Sequence, residues 1–170
     1  MRSARAYTNV TFTKRVDHEA GRHRPARSPK GRLVCRHCGA VYFKRRWVPR
    51  TDERMPLLAA KAEATLCPAC DMEAKGLVRG YLTLEGPFFV AHRPEIETLL
   101  RNEAGREGED NPTGRVIAWD TAVKNVLTLA TSTEHLAVRL GHAVHKAFKG
   151  SIHSGFAHED KFVRVTWSRE

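Results

Sequence analysis

The chain has 170 residues, 41% of them apolar, enough for one ordinary core or for a modest core beside a small module. No apolar run reaches the length of a membrane span and no secretory stretch opens the chain, which excludes a membrane-spanning or exported reading and leaves a cytoplasmic protein as the expectation. The net charge of +10 is lopsided: residues 1–50 hold 14 Lys or Arg against Asp17 and Glu19, a balance of +12, whereas residues 51–170 hold 15 against 17 acids, a balance of −2.

A field concentrated in one segment attracts polyanions, and nucleic acid is the commonest of these in the cytosol. An anionic membrane surface fits less well, because no helical stretch joins a basic face to a strongly apolar one. The opening "MRSARAYTNVTFTKR" lacks acids before Asp17, as a mitochondrial presequence also would, and Asn9-Val10-Thr11 reads as a chance glycosylation sequon. Residues 1–32 are rich in Arg, Ser, Pro and Gly and offer nothing to bury, so a basic tail that is mobile when free is expected there, with a short strand near "YTNVTF".

Residues 33–76 form the second unit, bracketed by Cys35-x-x-Cys38 and Cys67-x-x-Cys70 with 28 residues between the pairs. Each short pair sets two thiolates on one tight turn, and two such turns supply the soft tetrahedron that zinc prefers. A thioredoxin-type dithiol would sit at a helix start in a βαβ context that neither pair shows. Structural disulfides are disfavoured in a reducing compartment, and iron or an iron–sulfur centre is the remaining alternative. The expectation is therefore one structural zinc ion on Cys35, Cys38, Cys67 and Cys70, a closed sphere with no open position for water. Between the pairs, "PLLAAKAEATL" is Ala-rich behind Pro56 and predicts a helix running up to Cys67-Pro68.

The same segment carries the candidate nucleic-acid contacts. Lys30, Arg32, Arg36, Lys44, Arg45, Arg46 and Arg50 could grip phosphates, with Trp47 stacking on a base or sugar. Packing of Trp47 against the small metal module is the equal alternative.

Residues 77–170 read as an α/β unit. "GLVRGYLTLEG" alternates as a strand with one buried face; Pro94 opens a helix with Ile96, Leu99, Leu100 and Ala104 on one side, ending in the loop "GREGEDNPTG". "RVIAW" and "NVLTLAT" follow as strands, then a helix with Thr131 as cap and Glu134 completing a capping box, an apolar stripe of Leu136, Leu140, Val144, Ala147 and Phe148, and a stop at Gly150. "SIHSGFAH" and "KFVRVTW" close as strands around a turn at Glu159-Asp160, with Val163, Val165 and Trp167 on one face. The order predicts an α+β chain: a small four-cysteine zinc ribbon or knuckle module followed by a two-layer α/β sandwich, an antiparallel or mixed sheet with two helices on one face.

His135, His142 and His145 lie on the last helix and read as a solvated face, with a second metal site or a pH-sensitive contact as the alternative. No Gly-rich phosphate loop, nucleophile elbow or zinc-protease helix is present, and "GREGEDNP" is acidic enough to repel phosphate, so neither catalysis nor a small-molecule substrate is expected.

The knuckles "CRHCG" and "CPAC", the strand "GLVRGYLTLEG" and the tail "VLTLATSTEHLAVRLGHAVHKAFKGSIHSGFAHEDKFVRVTW" resemble the zinc and following α/β region of the large ribosomal subunit export adaptor family, nonsense-mediated decay protein three. The resemblance covers about residues 33–168 and carries over the four cysteines but no catalytic residue. That family has further cysteine pairs and β domains, so what it implies is a short prokaryotic-type relative with affinity for the large subunit. The expected function is a zinc-stabilised, non-catalytic protein binding the ribosome or structured RNA in assembly, quality control or stress-time silencing. A DNA-binding zinc-ribbon regulator is the first alternative, and a redox or enzymatic protein using the CxxC pairs the second.

Overall fold

The computed structural model describes residues 31–157 and 161–170, so Lys30, the "YTNVTF" segment and the Glu159-Asp160 turn lie outside the described residues. The cysteine module is built on a small sheet of β1 (Leu33–Cys35), β2 (Val41–Phe43), β3 (Arg46–Val48) and β4 (Glu63–Thr65), in the order β3-β2-β1-β4. β1 to β3 pair antiparallel, and β4 lies parallel to β1. Phe43 pairs with Arg46, so β2 and β3 are joined by only Lys44 and Arg45, whose φ angles of 48° and 64° are both left-handed. Two left-handed central residues are what a two-residue hairpin needs to match strand twist.

Helix α1 (Met55–Ala59) seals this sheet, placing Leu58 against Val41 and Val48. It is far shorter than its composition predicts. Lys61 turns left-handed with φ 62°, and Glu63–Thr65 leave helical geometry to pair with β1. Pairing satisfies the free edge of β1 and outweighs the modest helix preference of the Ala-rich run, a few tenths of a kcal/mol per residue on roughly the usual scale. A helix therefore begins, and does not end, at the second cysteine pair: Cys67 is the extended N-cap of α2 (Pro68–Ala74), with Pro68 opening its first turn.

The larger layer is a five-stranded sheet of β5 (Gly80–Glu85), β6 (Val116–Asp120), β7 (Leu127–Thr131), β8 (Ser151–Ala157) and β9 (Phe162–Ser168), ordered β6-β7-β5-β9-β8. Only β5 and β9 run parallel, so the sheet is mixed. One face is covered by α4 (Arg93–Asp110) and α5 (Glu134–Phe148), with α3 (Pro87–Ala91) turning the chain out of β5. Leu82, Leu84, Leu127, Leu129, Val163, Val165 and Trp167 meet Phe89, Ile96, Leu100, Leu136, Leu140 and Val144 there. Each of these large side chains contributes roughly 1.5–3 kcal/mol by leaving water. Gly141 permits the close approach of α5: a Cβ there would stand 2.7 Å from Val165 Cγ1.

Three details differ from the sequence expectations. Thr133, not Thr131, caps α5, its hydroxyl accepting from the Leu136 N–H; Thr131 ends β7, buried, with its hydroxyl donating to the carbonyls of Gly80 and Thr133. Ala147 is exposed and falls off the inner stripe. "GREGED" is helical: α4 continues through Asp110, which places Glu107 as well as Glu103 beside Arg139 of α5. Short α3 also has no periodic signature beyond Pro87.

Candidate metal centre

The first knuckle is a turn in which the Gly39 N–H donates to Cys35 O and the Cys35 N–H to Ala40 O. Gly39 takes φ 75°, a left-handed value that favours glycine, and a Cβ there would meet the Arg50 side chain at 2.9 Å. The second knuckle is the entry into α2. The two are drawn together because the Arg36 N–H donates to Thr65 O at the end of β4, two residues before Cys67. Sheet pairing, not the cysteines alone, closes the 28-residue gap.

The Sγ atoms of Cys35, Cys38, Cys67 and Cys70 lie within 4.8 Å of one another, with Cys38 to Cys67 at 3.7 Å. A disulfide needs about 2.05 Å. A tetrahedron with metal–sulfur bonds of about 2.3 Å has edges of about 3.8 Å, so the spacing fits four ligands of one ion. All but Cys38 are buried, and all four are free thiols. The cluster is therefore able to hold one metal ion.

The electrostatics agree. Burial pushes the Cys35 thiol up, but the backbone N–H groups of Cys38, Cys67 and His37, with the Cys38 thiol, outweigh it and bring Cys35 down to about 6. Burial raises Cys67, and its Cys70 and Cys38 neighbours add to the rise against the Cys70 N–H. Burial likewise raises Cys70, opposed by the Arg115 guanidinium. Four thiols this close resist ionising together, and a bound cation removes that conflict.

Outside the ligands stand His37, whose Nδ1 is 3.3 Å from Cys70 Sγ, and Arg115, whose Nη2 donates to the same sulfur at 2.9 Å. The sequence reading missed both as partners of the metal cluster. His37 was legible inside "CRHC", but Arg115 lies 45 positions from Cys70 and has no local signal.

The basic candidates divide into two groups. Arg32, Arg36, Lys44, Arg45 and Arg50 are exposed, and none of them is ion-paired to an acid among the described residues. Arg32 and Lys44 flank the Phe43 ring, 5.8 and 5.4 Å from its centroid, giving a cation–aromatic–cation patch beside the hairpin tip. Arg46 and Trp47 instead line a groove of about 480 Å³ with Asp52, Glu53, Arg54, Glu109 and Asp110. Trp47 also packs on the cysteine cluster and lies 5.5 Å from the Tyr42 ring, so packing accounts for its position. On α5, His135 and His142 are exposed, while His145 is half-buried.

Fold and site together define a four-cysteine knuckle module, able to hold one metal ion, joined to a two-layer α+β sandwich. No protein-family model, curated protein or solved structure matches the chain. Among the described residues no helix is long and apolar enough to cross a membrane.

Proposed function

We propose that the chain is a zinc-stabilised, non-catalytic RNA-binding protein of the cytoplasm whose partner is structured RNA on the large ribosomal subunit. The observation that carries this reading is the β2–β3 tip. Lys44 and Arg45 occupy two left-handed positions that Asn and Gly fill at far lower cost, about 1 kcal/mol each by usual estimates. Strain of this kind persists where side-chain chemistry is needed, and here it projects two bases, ion-paired to no acid among the described residues, beside Phe43 and Arg32. Phosphate contact by Lys44 and Arg45, with Arg32 held beside them on Phe43, suits the irregular backbone of structured RNA. The +12 balance of residues 1–50 extends the same field.

Zinc would be held by Cys35, Cys38, Cys67 and Cys70, supplying a rigid cross-link between the knuckles. Four thiolates leave no position for a reacting water, so its part is to fix the sheet that presents the tip.

The test is binding of the zinc-loaded chain to purified large subunits and to ribosomal RNA over a salt series. Lys44→Glu with Arg45→Glu should lower affinity at least tenfold and reduce the salt slope by roughly two ions. Unchanged binding by this variant, or no salt-sensitive binding by the native chain, would sink the reading.

A further inference from the structure

Arg115 precedes β6, on the sandwich side of the molecule, yet its side chain reaches the metal module. Its backbone is clamped by Ser132: the Arg115 N–H donates to Ser132 Oγ at 2.8 Å, the Ser132 N–H donates to Arg115 O at 2.9 Å, and Ser132 Oγ donates to Thr113 O at 2.6 Å. From that fixed base Nη2 donates to Cys70 Sγ at 2.9 Å and stands 3.6 Å from Glu73 Oε2. The donor atoms of His37, Cys70 and Glu73 lie within 4.8 Å of one another, a set that by itself would attract a cation. The guanidinium is the cation found there.

We propose that Arg115 is a positioning residue of the metal centre, its guanidinium filling the outer pocket made by Cys70 and Glu73, so that metal binding and docking of the knuckle module onto the sandwich are one linked equilibrium. This rests on the reading that the four cysteines hold zinc. Four thiolates around a divalent ion leave a charge of −2, and a metal-bound sulfur keeps lone pairs for a donor. Arg115 supplies a charge-assisted bond to one of those sulfurs from a different folding unit. Because the bond is made only when both units are in place, whatever docking adds to metal affinity, metal binding adds equally to docking.

The experiment titrates Co²⁺ into the full chain, following the thiolate-to-cobalt charge-transfer band, then displaces it with Zn²⁺. Arg115→Gln should weaken metal binding roughly 10–100-fold, the usual loss for an outer partner of a ligand, and move the band to longer wavelength as the sulfur loses its donor. Arg115→Lys keeps the charge without the planar fork and should recover part of the affinity. Arg139→Ala loosens the sandwich through Glu107 without touching Cys70 or the Ser132 clamp, so it should lower thermal stability and leave the band in place. In the native chain, zinc should slow amide exchange over residues 75–79, which join the two units, and Arg115→Gln should abolish that protection. A Co²⁺ affinity within twofold of native with an unmoved band, or an equal loss from Arg139→Ala, would overturn the role of Arg115 while leaving the metal site standing. Absence of any cobalt–thiolate band in the native chain would overturn the metal reading and this inference with it.

Discussion

Arg139 of α5 and Glu107 of α4 meet at 2.6 Å, with the Glu107 side chain only 7% exposed and that of Arg139 32%. Asn111 Nδ2 also donates to the same carboxylate, and Gly114 leaves room for it, since a Cβ there would stand 2.8 Å from Oε1. Arg139→Ala strands a buried charge and should cost about 2–4 kcal/mol in urea unfolding, below the fully buried figure because the guanidinium is partly wet. Replacing both partners, Glu107→Leu with Arg139→Met, should cost less than either single truncation. A double variant at least as damaged as the sum of the singles would show that the pair does not act as a unit.

Removal of a metal held by the four cysteines should act unequally on the cysteine module and the sandwich. The module's apolar clusters are small, Val41, Val48 and Leu58 in one and Ala40, Ala69 and three cysteines in the other, whereas the sandwich buries fourteen residues in one core. A strong chelator, or Cys67→Ser, should therefore destabilise residues 33–76 while leaving the stability of the sandwich unchanged. Amide exchange should show protection reduced at β1 to β4 and unchanged at β5, β7 and β9. Uniform loss across both sheets would mean that the sandwich cannot stand without its neighbour.

How far the fold was legible depended on whether the deciding interaction was local. The strand over Tyr81–Leu84, the inner face of Ile96 and Leu100, and the stripe through Leu136, Leu140 and Val144 follow from periodicity, and burial bears them out. The cysteine cluster was equally readable, because the ligand spacing is written in two short turns. Long-range choices were hidden. Glu63–Thr65 became a strand only because β1 offered an edge 30 residues earlier, and α4 ran past Gly105 and Gly108 because Arg139 waited on another helix. Arg115 was invisible for the same reason. The strain at Lys44-Arg45 needed backbone angles, since the tip sequence alone carries no turn signature.

That strain makes a test in which stability and function part company. Lys44→Asn with Arg45→Gly installs the preferred pair for a tight hairpin of this twist and should raise the stability of the zinc-loaded module by about 1–2 kcal/mol. RNA affinity should fall in the same protein, with a shallower salt dependence. Chelator resistance and binding, measured side by side, decide it. A variant both more stable and equally tight would show that the tip bases are not contacts.

Metal uptake should depend on pH in a manner set by individual thiols. Cys35, brought down to about 6, is mostly ionised at neutral pH and gives up little proton when the ion arrives. Cys67 and Cys70, raised by burial, remain thiols in the metal-free form and must each release a proton. Binding near pH 7.5 should therefore release fewer than four protons, at most roughly three. The sign follows directly: affinity falls as pH falls, because protons compete for the same sulfurs, and the fall steepens below about 6 as Cys35 joins the competition. In the metal-free module, the lowered Cys35 thiol contributes stability that is complete above its unfolded value, near 9, and is lost as pH drops through about 6. Calorimetry in buffers of different ionisation enthalpy counts the protons. Release of all four at pH 7.5, with no break in slope near 6, would mean that the amides around Cys35 do not hold its thiolate in solution.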